Sequence, residues 1–202
     1  MTSTTRSEPA RKRPGGRSAR VRSAVLRAAL DELVVTGYGG LSLEGIAQRA
    51  GVNKTTLYRR WGTRENLILD AMLERGAQQV PIPDTGALRS DLVAFGRAIV
   101  ASTAEPDFEA IIRAVASIGE QDSALAAARR GFWSTRLEMA ADMVRRAIAR
   151  GEVPPETDPR LVAELLIAPI YFRLLMSGDD RDAELVERLA DLVDNLALSP
   201  GA

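Results

Sequence analysis

Between Ser42 and Arg64 the sequence SLEGIAQRAGVNKTTLYRRWGTR gathers cations and hydroxyls into one short stretch. Leu57 and Trp61 repeat at i, i+4, and Lys54, Thr55, Thr56, Tyr58, Arg59 and Arg60 fall away from that apolar side. Charged donors neutralise phosphates, and hydroxyls donate to phosphate oxygens or base edges. A helix face of this make-up therefore suits a groove walled by phosphates. A solvated surface carries the same residue types, and the spacing alone does not separate the two readings. Arg64 opens the next helical pattern, where a cation opposes the helix dipole. That local cost makes sense if Arg64 faces a phosphate.

Little else in the chain offers chemistry. It has no Cys and no His, which removes disulfides, thiolate and imidazole ligands and the commonest general base together. Asp179, Asp180 and Asp182 form the densest carboxylate cluster and could hold a hard cation. They also stand where the N-terminus of a helix favours acidic residues, and that role is the expected one. An enzyme built on the acidic C-terminal half is the reading the residues support least. No catalytic residue, metal ligand or cofactor is assigned.

The elements that must position the basic face are legible from caps and breakers. Ser42 reads as an N-cap, followed by Leu43, Ile46, Ala47 and Ala50 at helical spacing and by Gly51 at the C-terminal stop. Asn53 caps a second helix, and a connection this short is what a helix-turn-helix allows. Ahead of it a helix is predicted from Ser18 to Thr36, with Val25, Ala29 and Leu33 inward and Gly37 as its stop. Behind it Thr63 caps a helix predicted to end near Gln78. The segment VPIPDTG, Val80 to Gly86, holds two prolines and a glycine and is the predicted boundary. It divides a DNA-binding part, 17–79, from a larger helical part, 80–202. Residues 1–16 are expected to be a disordered basic tail, either solvated or an arm that touches phosphates or the minor groove. The expected fold class is all-α.

Charge supports the division. Residues 1–64 hold 13 Lys/Arg against 4 Asp/Glu, whereas residues 65–202 hold 14 against 23, so a net charge of zero hides poles of +9 and −9. Such a split suggests a polyanion partner for the first segment and another task for the second. No apolar segment follows the basic N-terminus, and no window approaches the ~18 apolar residues of a membrane span. A cytoplasmic location is expected.

The segment SLEGIAQRAGVNKTTLYRRWGTRENLI, with VLRAALDELVVTGYGGLSL leading into it, resembles the DNA-binding signature of the TetR family of bacterial transcriptional regulators. The likeness covers roughly residues 20 to 75; the remainder is similar only in helical character and length. The resemblance implies a homodimeric repressor on a palindromic operator. It also implies release by a small ligand that binds the C-terminal part and shifts the helix after the recognition helix. At matching positions it implies that Lys54, Thr55 and Arg59 meet base edges. It places Ser42, Thr56, Tyr58, Arg60 and Arg64 on phosphates. Arg60 stands where the family often carries histidine, and its charge persists at any working pH. Trp61 replaces a commoner phenylalanine and is expected to remain a hydrophobic anchor.

The C-terminal part gives less. Phe95, Phe108, Phe132, Trp133, Met139, Met143 and Phe172 could line an apolar ligand pocket or be plain core. Arg113 and Arg136 would favour an anionic or polar ligand if they turned inward, and Arg136 is placed with the pocket. The stretch LVAELLIAPIYFRLLM, 161–176, is apolar nearly all round, with Pro169 expected to kink it. Together with the last helix it suggests a four-helix dimer interface through Leu161, Leu165, Leu185, Leu189, Leu192, Val193 and Leu196. An ordinary monomer core is the alternative. The rival function is a structural DNA-binding protein without a ligand. An internal cavity of a few hundred Å3 would favour the sensor, a solid core the rival.

Overall fold

The computed structural model describes residues 15–116 and 123–198, so the predicted tail lies almost wholly outside the described residues. Among the described residues there are nine α-helices and no strand. None of these helices is long and apolar enough to cross a membrane.

The first four helices are set by the caps the sequence carries. Helix α1, Gly15–Gly40, changes direction at Gly37, whose φ of 63° is one that L side chains rarely adopt. Its stripe of Val25, Ala29 and Leu33 is at most 1% exposed. Helix α2, Leu43–Ala50, starts at Ser42, whose Oγ accepts from the Gly45 amide at 3.0 Å. It ends at Gly51 in the left-handed region. Gly45 also lets α2 approach α1, since a Cβ there would stand 2.9 Å from the Glu32 carboxylate. Helix α3, Lys54–Trp61, is capped by Asn53, and helix α4, Arg64–Gln79, by Thr63.

Five longer-range helices complete the chain: α5, Leu88–Thr103; α6, Pro106–Ala116; α7, Ser123–Arg150; α8, Pro159–Phe172; and α9, Ala183–Leu198. Asp158 caps α8 with Pro159 at its start, and Asp182 accepts from the Leu185 amide at 2.8 Å at the start of α9. Helix α8 runs through Pro169, and the departure from α-type bonding comes a turn later. A π-helical turn, Arg173–Ser177, closes with the Gly178 amide donating to the Arg173 carbonyl at 2.9 Å.

Apolar burial gathers into two principal cores. The first joins α1 to α4 and recruits Ile111, Val115 and Phe132 from α6 and α7. The second lies among α5, α7, α8 and α9 around Phe95, Met143, Leu166 and Val186. Half-buried Trp133 packs against both. The segment 80–86 is tied down between them despite its composition. Arg136 Nη2 donates to the Val80 carbonyl at 2.8 Å, Arg146 donates to the Pro83 carbonyl, and Thr85 N–H donates to buried Asp91 at 2.6 Å.

Arg64, assigned to a phosphate from its position, already makes three contacts within the chain. Its Nε donates to Glu65 at 2.9 Å, its Nη1 to the Leu41 carbonyl at 2.9 Å, and its guanidinium lies 4.2 Å over the Tyr38 ring. The cation is paired inside the chain, so it fastens the start of α4 to the turn between α1 and α2. Burial alone would raise the Glu65 carboxyl. Hydrogen bonds from the Tyr38 hydroxyl, its own backbone, Arg64 and Thr63 outweigh it and hold the carboxyl at about 2. A depressed carboxyl stabilises the fold above its ordinary value near 4.5 and loses that effect as pH falls through the folded value. Glu65→Gln is expected to lose about 1–3 kcal/mol at neutral pH. The gap from the parent should narrow as pH is lowered through that window, as urea melts at stepped pH would measure. A gap independent of pH would contradict the assignment.

Candidate nucleic-acid interface

Helix α3 is anchored by its apolar side and exposed on its basic side. Leu57 is wholly buried and Trp61 is 8% exposed. The Trp61 indole N–H donates to Asp70 on α4 at 2.9 Å, and Asn66 donates to the Trp61 carbonyl at 3.0 Å. Arg22 of α1 pairs with Asp70 and Glu74, so one carboxylate, Asp70, joins α1, α3 and α4. Trp61 is therefore the hydrophobic anchor that the sequence suggests. Arg22 would have read as outer-surface charge from periodicity alone; only the three-dimensional approach of α4 reveals its role.

Lys54, Thr55, Tyr58, Arg59 and Arg60 are exposed together, and Thr56 is half-buried beside them. Thr55 N–H and its hydroxyl both donate to Asn53 Oδ1, at 2.9 and 2.7 Å, so Thr55 also helps cap the helix. Arg60 sits 5.2 Å from the Trp61 ring centroid, which restrains a side chain otherwise in solvent. Ser42 uses its oxygen as the cap of α2 and keeps its proton to donate elsewhere. Seven of the eight assigned positions thus lie on the helix-turn-helix, with the Thr55 and Tyr58 hydroxyls donating within the chain, and Arg64 stands on α4.

Sequence reasoning missed Glu44. It stands in the first turn of α2 and its Oε1 accepts from the Tyr58 hydroxyl at 3.1 Å. The Lys54 ammonium lies 3.8 Å from the same oxygen. A backbone hydrogen bond and then Tyr58 lower this carboxyl, which keeps it charged. Glu44 thereby holds a cation and a hydroxyl in place in the absence of phosphate. An acid at the start of a helix reads first as a dipole partner, so nothing in its sequence position signals that link.

The aromatic positions of the C-terminal part divide. Phe95, Phe108, Phe132, Trp133 and Arg136 line one narrow pocket, joined by Gly76, Val80, Ile99, Ile167 and Tyr171. Its free volume is about 20 Å3, room for a water. Met143, Met139 and Phe172 are corrected out of it. Met143 is fully buried in the second core, two turns along α7 from Arg136. Met139 is half-buried beyond the lining residues of α7, and Phe172, the neighbour of Tyr171, turns outward at 58% exposure. Arg113 is exposed and paired with Glu109 at 2.7 Å, so of the two arginines only Arg136 turns inward. A more open cleft of about 250 Å3 adjoins the pocket between α7 and α8. A polar groove of about 370 Å3 lies between α1, α4 and α6, with Glu74 and Arg75 on its wall already paired to Arg22 and Glu105.

The apolar face of the last two helices also divides. Leu161, Leu165, Leu192 and Leu196 are exposed, as is Met176 at 75%. Leu189 is half-buried. Leu185 and Val193 are corrected: both are buried inside the chain, at 5% and 3% exposure, because the stripe of α9 is wide enough to face its own core and solvent at once.

Comparison with known proteins agrees with this geometry. Residues 25–71 match the family model "Bacterial regulatory proteins, tetR family", and residues 82–193 match "Tetracyclin repressor-like, C-terminal domain". The HTH-type transcriptional regulator AqdR of Rhodococcus erythropolis is 34% identical over 177 residues, 88% of this chain and 85% of that protein. The DNA-binding transcriptional repressor TetR of Mycobacteroides abscessus is 34% identical over 185 residues, 89% of this chain and 95% of that protein. A solved TetR family transcription regulator superposes with a TM-score of 0.73 at 31% identity, over 87% of this chain and 97% of that one. With both halves matched and relatives aligned along most of its length, the chain belongs to the TetR family and is a DNA-binding transcriptional regulator.

Proposed function

We propose that the chain is a homodimeric repressor, held on a palindromic operator until a small molecule releases it. The observation that carries this reading is the basic face of α3, exposed as a unit while Leu57 and Trp61 fix the helix from behind. One short helix gives few base contacts, so operator specificity needs a second copy, with half-site centres about 34–36 Å apart. The similarity to a protein described as a DNA-binding transcriptional repressor supports repression over activation. Residues 17–79 serve as the DNA-binding part and 80–202 as the part for dimerisation and ligand, working in the cytoplasm. Lys54, Thr55 and Arg59 take base edges; Ser42, Thr56, Tyr58 and Arg60 take phosphates.

The apolar strip formed by Leu161 and Leu165 of α8 with Leu192 and Leu196 of α9 supplies the dimer contact, since these helices pack on each other. The small free volume around Arg136 suits a ligand-free state that must open, and by itself it also suits a constitutive DNA-binding protein. The buried cation in that pocket favours the sensor, because its bond to the Val80 carbonyl leaves Nη1 unpartnered and the charge uncompensated.

Three measurements test these assignments. Operator affinity should fall steeply between low and moderate salt, because each neutralised phosphate releases counterions; a flat response would count decisively against the basic face. Leu192→Glu or Leu165→Glu should convert a dimer to a monomer without unfolding it, since both side chains are exposed in the single chain. Light scattering that found a parent monomer at micromolar concentration would sink the strip as the interface. Lys54→Ala should cost about 1–3 kcal/mol on operator and less on scrambled duplex if Lys54 meets a base edge. Tyr58→Phe should weaken both duplexes by similar factors, because phosphates carry no sequence information. The reverse pattern in competition binding would exchange the roles of the two residues.

A further inference from the structure

Arg136 is an anomaly among the arginines of this chain. Its side chain is 8% exposed, deeper than any other described arginine. Taking a guanidinium out of water is costly, and proteins normally offset that cost with a carboxylate. None lines this pocket. Nη2 donates to the Val80 carbonyl at 2.8 Å, and Nη1 has no partner. Burial pushes the guanidinium below its ordinary value, with only the Tyr171 hydroxyl acting the other way, yet an arginine stays charged at any working pH. The pocket thus holds one uncompensated positive charge and one unused donor.

We propose that Arg136 is the anchor for a monocarboxylate with an apolar, ring-sized body, which enters through the cleft between α7 and α8. This rests on the effector-released reading and names the chemical class of the effector. The walls fit the body: Phe95, Phe132, Trp133 and Ile167 offer no charge, and Trp133 stands edge-on to Phe132 and Tyr171 at 5.1 and 4.9 Å. Tyr171 is held neutral because burial lifts its hydroxyl to about 12, so it does not repel an anion. A single guanidinium balances a single negative charge and is too little for a phosphate dianion. A water would fit the free volume and satisfy Nη1 but would leave the charge uncompensated.

Room for the body comes from next door. The 250 Å3 cleft shares Trp133, Ile167 and Tyr171 with the pocket, so a rotation of Trp133 makes the two one space. Glu164 stands exposed at the outer edge of that cleft, where solvent screens its repulsion. The site also reaches helix α4 directly. Val80 caps the end of α4, and Gly76 lies so near the guanidinium that a Cβ there would be 3.5 Å from its Nε. A carboxylate that draws the guanidinium inward competes with the Val80 carbonyl for it, and so acts on the last turn of α4.

The test is calorimetric titration of the full-length protein with benzoate and octanoate against benzamide and octanamide. The parent should prefer each acid over its amide by about tenfold or more, the scale of a buried charge-assisted hydrogen bond. Arg136→Met should bring that ratio near one, and Arg136→Lys should restore part of it. Ala168→Trp, at an exposed position on the cleft wall, should block the acids while leaving Arg136 in place; it keeps the test open if Arg136→Met fails to fold. Equal binding of acid and amide, no binding of either acid at millimolar concentration, or acid binding unaffected by Ala168→Trp would each overturn the proposal. Operator release is measured on the same samples. Arg136-dependent acid binding without release keeps the anchor and counts against the effector-released reading. Release by a neutral compound that ignores Arg136→Met supports that reading and overturns the anchor.

Discussion

The DNA-binding face depends on one short contact set, the burial of Leu57 and Trp61 behind α3. An eight-residue helix is not stable in isolation, and six of its side chains prefer water. What keeps it formed is the apolar pair beneath it, the Trp61 indole on Asp70, and the Asn53 cap. Asp70 is also the partner of Arg22. The orientation of the recognition face is consequently shared between the apolar pair on α3 and a carboxylate on α4.

Much of this was legible in the sequence, because caps and left-handed glycines act locally. Ser42, Asn53, Thr63 and Asp158 each cap the helix they precede, and Gly37 and Gly51 adopt the positive φ that their stop positions require. The fold class followed from those signals and from the stripes of α1 and α9. What escaped were choices between equivalent residues. Arg64 and Arg60 look alike in sequence, yet Tyr38, Leu41 and Glu65 converge on the first and leave the second free for solvent. Arg113 and Arg136 likewise differ only through what packs around them. Phe172 and Tyr171 are neighbours separated by about 100° on a helix, so one lines the pocket and the other faces outward, and the aromatic content of α8 could not say which.

The boundary segment carries a similar lesson. Two prolines and a glycine between Val80 and Gly86 mark a change of element but not a clean division of the cores, since Ile111, Val115 and Phe132 beyond them pack into the first. Composition does not reveal that Arg136 and Arg146, more than fifty residues later, hold its carbonyls. Nor does it reveal that Phe132 serves the first core and Leu137 the second, with Trp133 in contact with both.

Helix α4 is fastened at both ends. Its first turn is tied to α1, to the turn before α2 and to α3 through Glu65, Arg64 and Asn66, and its last turn rests on Arg136. At 16 residues it is a rod of about 24 Å, and a hydrogen-bonded helix resists compression along its axis. A push at Val80 is therefore not absorbed along the way. It would reach Asp70 and Arg64 as a tilt or a slide of the whole rod, the small shear that packed helices permit. Because Trp61 hangs from that rod by its indole, any displacement of α4 would be felt by the basic face of α3 through that one contact.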